Sequence, residues 1–283
     1  MNSFWKHFDI PIGDWVQTGV DWIQVHWAPG LDAFAAVVGF LVNSLQNSLS
    51  VIPPTILALL IVAFGFWRVG WRFGIFALIS MVLLLGMGLW PQTVETLALV
   101  IASSIIALII GLPIGVLMAR SEVAEHIFRP ILDFMQTMPP FVYLIPAAIF
   151  FGLGQVPGTI ATVIFAMPPA VRLTNLGIRQ VSKENVEAGL SFGCTERQLL
   201  FKVQIPLAMP SIMAGINQTI MLALSMVVIA SMIGAGGLGN VVLTGIQRLN
   251  VGLGFEGGLG VVIVAILLDR ITQSFGFKKK RGK

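Results

Sequence analysis

Between Glu184 and Pro206 the chain reads ENVEAGLSFGCTERQLLFKVQIP, a polar, cappable island in a sequence where only 11% of residues are charged. Its residue types suit docking rather than covalent chemistry. Ser182 can cap a short helix whose first turn carries Glu184, an acid that complements the helix dipole. Gly189 and Gly193 can end that helix and turn the chain. Thr195 and Gln198 have capping-box spacing ahead of Leu199, Leu200, Phe201 and Val203, and Pro206 is expected to halt the second helix. The product is a helix–turn–helix elbow. It is either an amphipathic connector resting on lipid headgroups or a knob that a soluble partner receives.

Other chemistry is excluded by what the sequence lacks. There is no G-x-x-x-x-G-K-[ST], so ATP phosphates are not cradled by a P-loop in this chain. The run GAGGLG, Gly234 to Gly239, matches G-x-G-x-x-G but closes an apolar helix instead of following a strand, and it is expected to be a flexible external turn. His7, His26 and His126 are scattered through polar segments, Cys194 is the lone cysteine, and no Cys/His metal cluster exists. No His-Glu-x-x-His pattern or Ser/His pair occurs in the apolar segments. The chain is therefore expected to be neither an enzyme nor a metal or cofactor binder. Glu95, Asp133 and the pair Asp269–Arg270 fall near segment ends, leaving no buried acid or histidine to relay protons.

The elements that must carry the elbow are membrane helices. The chain is 56% hydrophobic with a mean hydropathy of +0.90, and its charge is less than half of the about 25% usual in soluble domains. No Asp, Glu, Lys or Arg occurs in 33–67, 96–119, 134–171 or 203–247. A spanning helix needs about 20 mainly apolar residues. Reading windows with breakers places spans near 54–68, 73–90, 94–119, 131–152, 157–178, 208–233 and 257–276.

Charge sets the direction. Arg68 with Arg72, Arg120 with Arg129, the group Arg172, Arg179, Lys183, Arg197 and Lys202, and the tail KKKRGK alternate with weakly charged junctions. All four basic sites can lie in the cytoplasm. That tail supplies five of the 17 basic residues, so the net charge of +4 reflects topology and not a nucleic-acid stripe. Asp9, Asp14, Asp21 and Asp32 outnumber Lys6 at the start, which suits an external N-terminus without a cleaved signal peptide. Residues 33–50 are apolar on one face and rich in Asn, Ser and Gln later on. They are expected to lie in the interface, and an eighth span results if they cross.

Proline punctuates the spans at Pro113, Pro139–Pro140, Pro146 and Pro168–Pro169. Each frees a carbonyl that lipid cannot satisfy, which suggests either bent helices around a pathway or plain kinks. Gly111 and Gly115 have the spacing that lets a neighbouring helix approach closely. Phe134, Phe141, Tyr143 and Phe165 lie in the proline-interrupted spans, where aromatic faces can hold a methylated ammonium; Ser225 and Ser231 are further candidates to line a pathway. Packing and lipid contact are the alternative uses of these six residues.

The elbow resembles the cytoplasmic loop of ABC importer permeases, Glu-Ala-Ala, three residues, Gly, nine residues, Ile-x-Leu-Pro. Glu187, Ala188, Gly193 and Pro206 match, Val203 and Ile205 are conservative replacements, and Gly189 departs from the family's Ala. The stretches LDFMQTMPPFVYLIPA, VIFAMPPAVRLT, GINQTIMLALSMVVIASMIGAGGLG and LDRITQ resemble the glycine betaine/proline betaine permeases of bacterial osmoprotectant importers, and the resemblance covers most of residues 90–276.

The resemblance implies an all-α polytopic bundle of the type I permease fold in the bacterial cell membrane. It implies a second copy of the permease, two ATP-binding subunits that hold ATP and magnesium, and an extracytoplasmic binding protein. Glu187, Ala188, Gly193, Val203, Ile205 and Pro206 would then couple to the ATPase. Expected divisions are an external segment at 1–50, two accessory spans at 51–90, a core at 91–276 with its coupling loop at 179–206, and a cytoplasmic tail at 277–283. An ion-gradient-driven secondary transporter of osmolytes is the main rival, since carbonyls and hydroxyls can suffice for sodium coupling. A membrane scaffold without transport is the second.

Overall fold

The computed structural model describes residues 11–276, and those residues are helical with no strand among them. The first ten residues and the basic tail at 277–283 lie outside the described residues. Five long apolar helices can each cross a membrane, and a bent pair adds a sixth. Among the described residues two shorter apolar helices, Pro54–Arg68 and Trp71–Gly86, fall at the first two expected spans.

The chain begins with α1, Ile12–Val51, one helix of 40 residues with Pro29 inside it. The segment 33–50 is thus the second half of a longer helix, and it packs Val38 and Val42 into the main core. Helices α2, Pro54–Arg68, and α3, Trp71–Gly86, form a hairpin. At 15 and 16 residues each is about 23 Å long at about 1.5 Å per residue, short of a hydrocarbon layer of about 30 Å. Gly70 makes the turn at φ +135°. Gly74 lets the Phe66 ring lie where a Cβ would sit 2.3 Å from it.

Helix α4, Trp90–Arg120, and helix α7, Gln155–Arg179, form the centre with α10, Ile205–Ala230. Their contact depends on missing side chains. A Cβ on Gly115 would stand 2.6 Å from the Val171 carbonyl, one on Gly177 2.7 Å from Ser211 Cβ, and one on Gly215 3.1 Å from the Pro169 carbonyl. Such close backbone approach is how membrane helices gain dispersion contact where lipid offers no hydrophobic drive. Some buried hydroxyls bond within their own helix, Ser103 donating to the Leu99 carbonyl and Thr162 to that of Gly158, both at 2.7 Å, while those of Ser104, Thr159, Thr174 and Thr219 have no partner among the described residues.

The two proline pairs behave differently. Pro139–Pro140 separates α5, Glu122–Thr137, from α6, Pro140–Phe151, and the two axes meet at 101°, so the span expected at 131–152 is a bent pair. Met138 is extended, as a residue before proline prefers. Pro168–Pro169 stays inside an unbroken α7. Helix α5 is amphipathic and is tied to α7 by the Arg172–Asp133 ion pair.

After the elbow and α10, a short 3₁₀ turn at Ser231–Ile233 leads to α11, Gly237–Gln247, and then to α12, Val251–Gly276. Gly245 and Gly254 meet backbone to backbone between these last two helices. The sequence reading had no helix in 234–256. Its small residues hide the amphipathic pattern, because glycine serves as the contact surface.

Candidate functional site

The elbow occupies one end of the bundle, where α4 and α7 finish and α10 begins. It opens with α8, Lys183–Ser191. Ser182 sits at the N-cap position, but its hydroxyl accepts from Asn185 Nδ2 at 2.9 Å and not from a backbone N–H. Gly189 does not end α8. It is buried within the helix, where a Cβ would lie 2.8 Å from Leu199 Cδ1, the movable tip of a side chain from the next segment. Gly193 makes the turn at φ +78°, with the Cys194 N–H donating to the Gly189 carbonyl at 3.1 Å.

Thr195 then begins a one-turn helix, α9, Glu196–Gln198. The capping box forms as expected: the Gln198 N–H reaches Thr195 Oγ1 at 3.4 Å, and the Thr195 N–H reaches Gln198 Oε1 at 3.0 Å. The continuation differs from expectation. Pro206 does not halt the second helix. Residues Leu199–Gln204 form a π turn that runs straight into α10, with the Ile205 N–H donating to the Leu200 carbonyl. Proline lacks an N–H and crowds the carbonyl four residues back. Here the wider π turn takes up both effects.

Arg179 anchors the elbow. The last residue of α7, it forms an ion pair with Glu125, Nη2 to Oε2 at 2.7 Å, and donates through Nη2 to the Met118 carbonyl at 2.9 Å and through Nε to Asn175 Oδ1 at 3.1 Å. One guanidinium thereby joins α4, α5 and α7. Leu200, buried, packs with Ile178, Ala208 and Ile212 beneath the π turn. Arg120 pairs with Glu196 at 2.8 Å at the rim, where Glu196 is 85% exposed and the pair is screened. Arg120, Arg179, Lys183, Glu187 and Glu196 line an open cleft of about 470 Å³ behind α8.

Of the six elbow residues singled out by resemblance, Glu187, Ala188, Gly193 and Pro206 are exposed, while Val203 and Ile205 are half-buried. Three large apolar side chains stand exposed beside them, of which only Phe201 belongs to the apolar run expected after the capping box. Phe192 is 89% exposed, Phe201 64% and Leu190 52%, and all three stand on the same elbow.

The six candidate pathway residues do not assemble. Tyr143 and Phe165 meet edge to face at 6.0 Å between ring centroids, and the Tyr143 hydroxyl donates to the Met135 carbonyl. Phe134 and Phe141 are exposed on other surfaces. Ser225 and Ser231 bond to their own helix, at the Met221 and Val228 carbonyls. No group of three His, Cys, Asp or Glu among the described residues can hold a metal.

Known proteins extend this picture. A family model described as "Binding-protein-dependent transport system inner membrane component" matches residues 111–279. The "Glycine betaine/proline betaine transport system permease protein ProW" of Escherichia coli (strain K12) is 50% identical over 268 residues, covering 94% of this chain and 75% of that protein. The "Glycine betaine/carnitine transport permease protein GbuB" of Listeria monocytogenes serotype 1/2a (strain 10403S) is 51% identical over 275 residues, covering 96% and 97%. Among solved structures, an inward-facing MetNI methionine ABC transporter chain superposes with a TM-score of 0.59 at 22% identity, over 66% of this chain and 94% of that one, a likeness of fold. With apolar spans packed through glycine, an anchored elbow and these relatives, the chain belongs to the family of binding-protein-dependent transport system inner membrane components, the membrane-embedded permeases.

Proposed function

We propose that this chain is the permease subunit of an ATP-driven importer for glycine betaine and related quaternary ammonium osmoprotectants. The observation that carries the proposal is the elbow: a capped, anchored projection on which Leu190, Phe192 and Phe201 are exposed, with nothing among the described residues covering them. The relatives bear the substrate in their names, glycine betaine with proline betaine or with carnitine.

In this reading the elbow faces the cytoplasm with the C-terminus, residues 91–276 form the transporting core, and α2 with α3 is accessory. The chain performs no covalent chemistry. It pairs with a second copy, two ATP-binding subunits that carry ATP and magnesium, and an extracytoplasmic binding protein. Glu187, Ala188 and Gly193 meet the ATPase groove. Val203, Ile205 and Pro206 pass its movement into α10, with which the elbow is continuous. Tyr143 is buried and packs edge to face on Phe165, and in this reading the cation's aromatic cage belongs to the binding protein while Phe134, Phe141, Ser225 and Ser231 border the passage.

The experiment is uptake of labelled glycine betaine into proteoliposomes that hold the chain, a partner ATPase and binding protein, with ATP inside. Uptake that needs all three components and fails with Gly193→Asp supports the reading. Accumulation by the chain alone on an ion gradient would overturn it in favour of a secondary transporter, and ATPase binding without flux would leave only a scaffold.

A further inference from the structure

We infer that Glu95 is a positioning residue of the transport cycle, the latch that holds the far end of α10 against α4 and α7. The inference rests on the ATP-driven reading above. Helix α10 leaves the elbow and runs 26 residues, about 39 Å at about 1.5 Å per residue, to the Ser231–Gly237 turn. There the turn is seized. Glu95 Oε2 accepts from the Gly237 N–H at 2.6 Å, and Oε1 accepts from Gln155 Nε2 at 2.7 Å. The same Nε2 lies 3.1 Å from Gln46 Oε1, and Thr96 Oγ1 accepts from the Leu238 N–H at 2.8 Å. The Gly154 N–H closes the other flank on the Ile233 carbonyl at 2.8 Å. The carboxylate thus ties α4 to α7 and to the start of α11, and Gln155 extends the network to Gln46 of α1.

The glycine-rich run is shaped to this acid and is not a loose turn. Gly236 and Gly237 hold φ of +86° and +71°, and a Cβ on Gly236 would stand 2.3 Å from Glu95 Oε1. A Cβ on Gly237 would stand 2.5 Å from Thr96 Oγ1. Among the described residues Glu95 has no cationic partner; both its oxygens are held by neutral donors and the positive end of α11. Charge-assisted bonds of this kind are about twice as strong as neutral ones, yet they break without leaving a second ion buried. Such a tie suits an attachment that is made and released. It stands at the opposite end of α4, α7 and α10 from the elbow, where elbow movement must arrive.

The test uses the complete transporter in proteoliposomes and reads ATP hydrolysed per labelled glycine betaine imported, a ratio that a lower folded fraction does not change. Glu95→Gln puts an amide donor against either Gly237 or Gln155. It should raise the ratio about fivefold or more, the lower end of energetic coupling between sites. Gly237→Ala keeps the N–H but sets a methyl 2.5 Å from Thr96 Oγ1 at φ +71°, which pushes the turn off Glu95 from the other side, and it should raise the ratio at least as much. Where Glu95→Gln fails to assemble, Glu95→Asp keeps the charge but draws it back by a methylene, and it should raise the ratio less. A ratio within about twofold of wild type in the assembled variant, below the usual range of coupling, overturns the latch. Absence of ATP-dependent uptake by the wild-type complex would instead remove the importer reading, and the latch with it.

Discussion

The Ile205 N–H donates to the carbonyl of Leu200, five residues back, and this bond carries the elbow into the membrane without a break. A π turn next to Pro206 is the local compromise between a missing donor and helical continuity. Replacing Pro206 with Ala removes the reason for it. The turn should relax to α geometry and rotate α8 relative to α10 by about 100°, one residue of a helix with 3.6 residues per turn. Thermal stability should hold or rise while ATP-coupled uptake falls. Uptake equal to wild type would show that the π turn has no part in coupling.

The two elbow glycines should respond in opposite ways. Gly193→Ala forces a side chain into φ +78° and should cost about 1–2 kcal/mol of local order, read as faster amide exchange over residues 183–195. Gly189→Ala meets only the flexible tip of Leu199 and gains up to about 1 kcal/mol of helix propensity, so α8 should become more protected.

Arg179 and Arg120 test depth against number. Arg179→Ala strands Glu125, which is 23% exposed, and leaves the Met118 carbonyl without its donor. Lost bonds to a charged group should lower stability by about 1.5–3 kcal/mol in thermal unfolding. Arg120→Ala should change stability by less than about 1 kcal/mol, because its partner Glu196 is solvated.

Gly115→Ala should destabilise more than Gly111→Ala. The first sets a methyl 2.6 Å from the backbone carbonyl of Val171, whereas the second meets the movable Met167 Cγ at 3.1 Å. A cost of about 1–3 kcal/mol for the first, as for other overpacked sites, against a smaller one for the second is the expected order of melting temperatures.

The long apolar segments, the elbow and its capping box could be read directly from the sequence, because each rests on local rules: length of apolar run, cap spacing and basic flanks. Proline could not. Pro139–Pro140 breaks a helix and Pro168–Pro169 does not, and what differs is the neighbourhood, with α10 packed through Gly215 on the Pro169 carbonyl. The meaning of Gly234–Gly239 lay in Glu95, 142 residues from its partner Gly237, a distance at which no periodicity carries information. Phe192 and Phe201 are legible as apolar residues, but only the fold shows that nothing among the described residues covers them.

The glycines that line α4, α7 and α10 have a mechanical consequence. Helices that mesh by long interlocking side chains move in jumps, each knob lifting out of its hole before it can fall into the next. Faces worn smooth by Gly111, Gly115, Gly177 and Gly215 offer no such teeth, so these rods can glide along one another like the surfaces of a plain bearing.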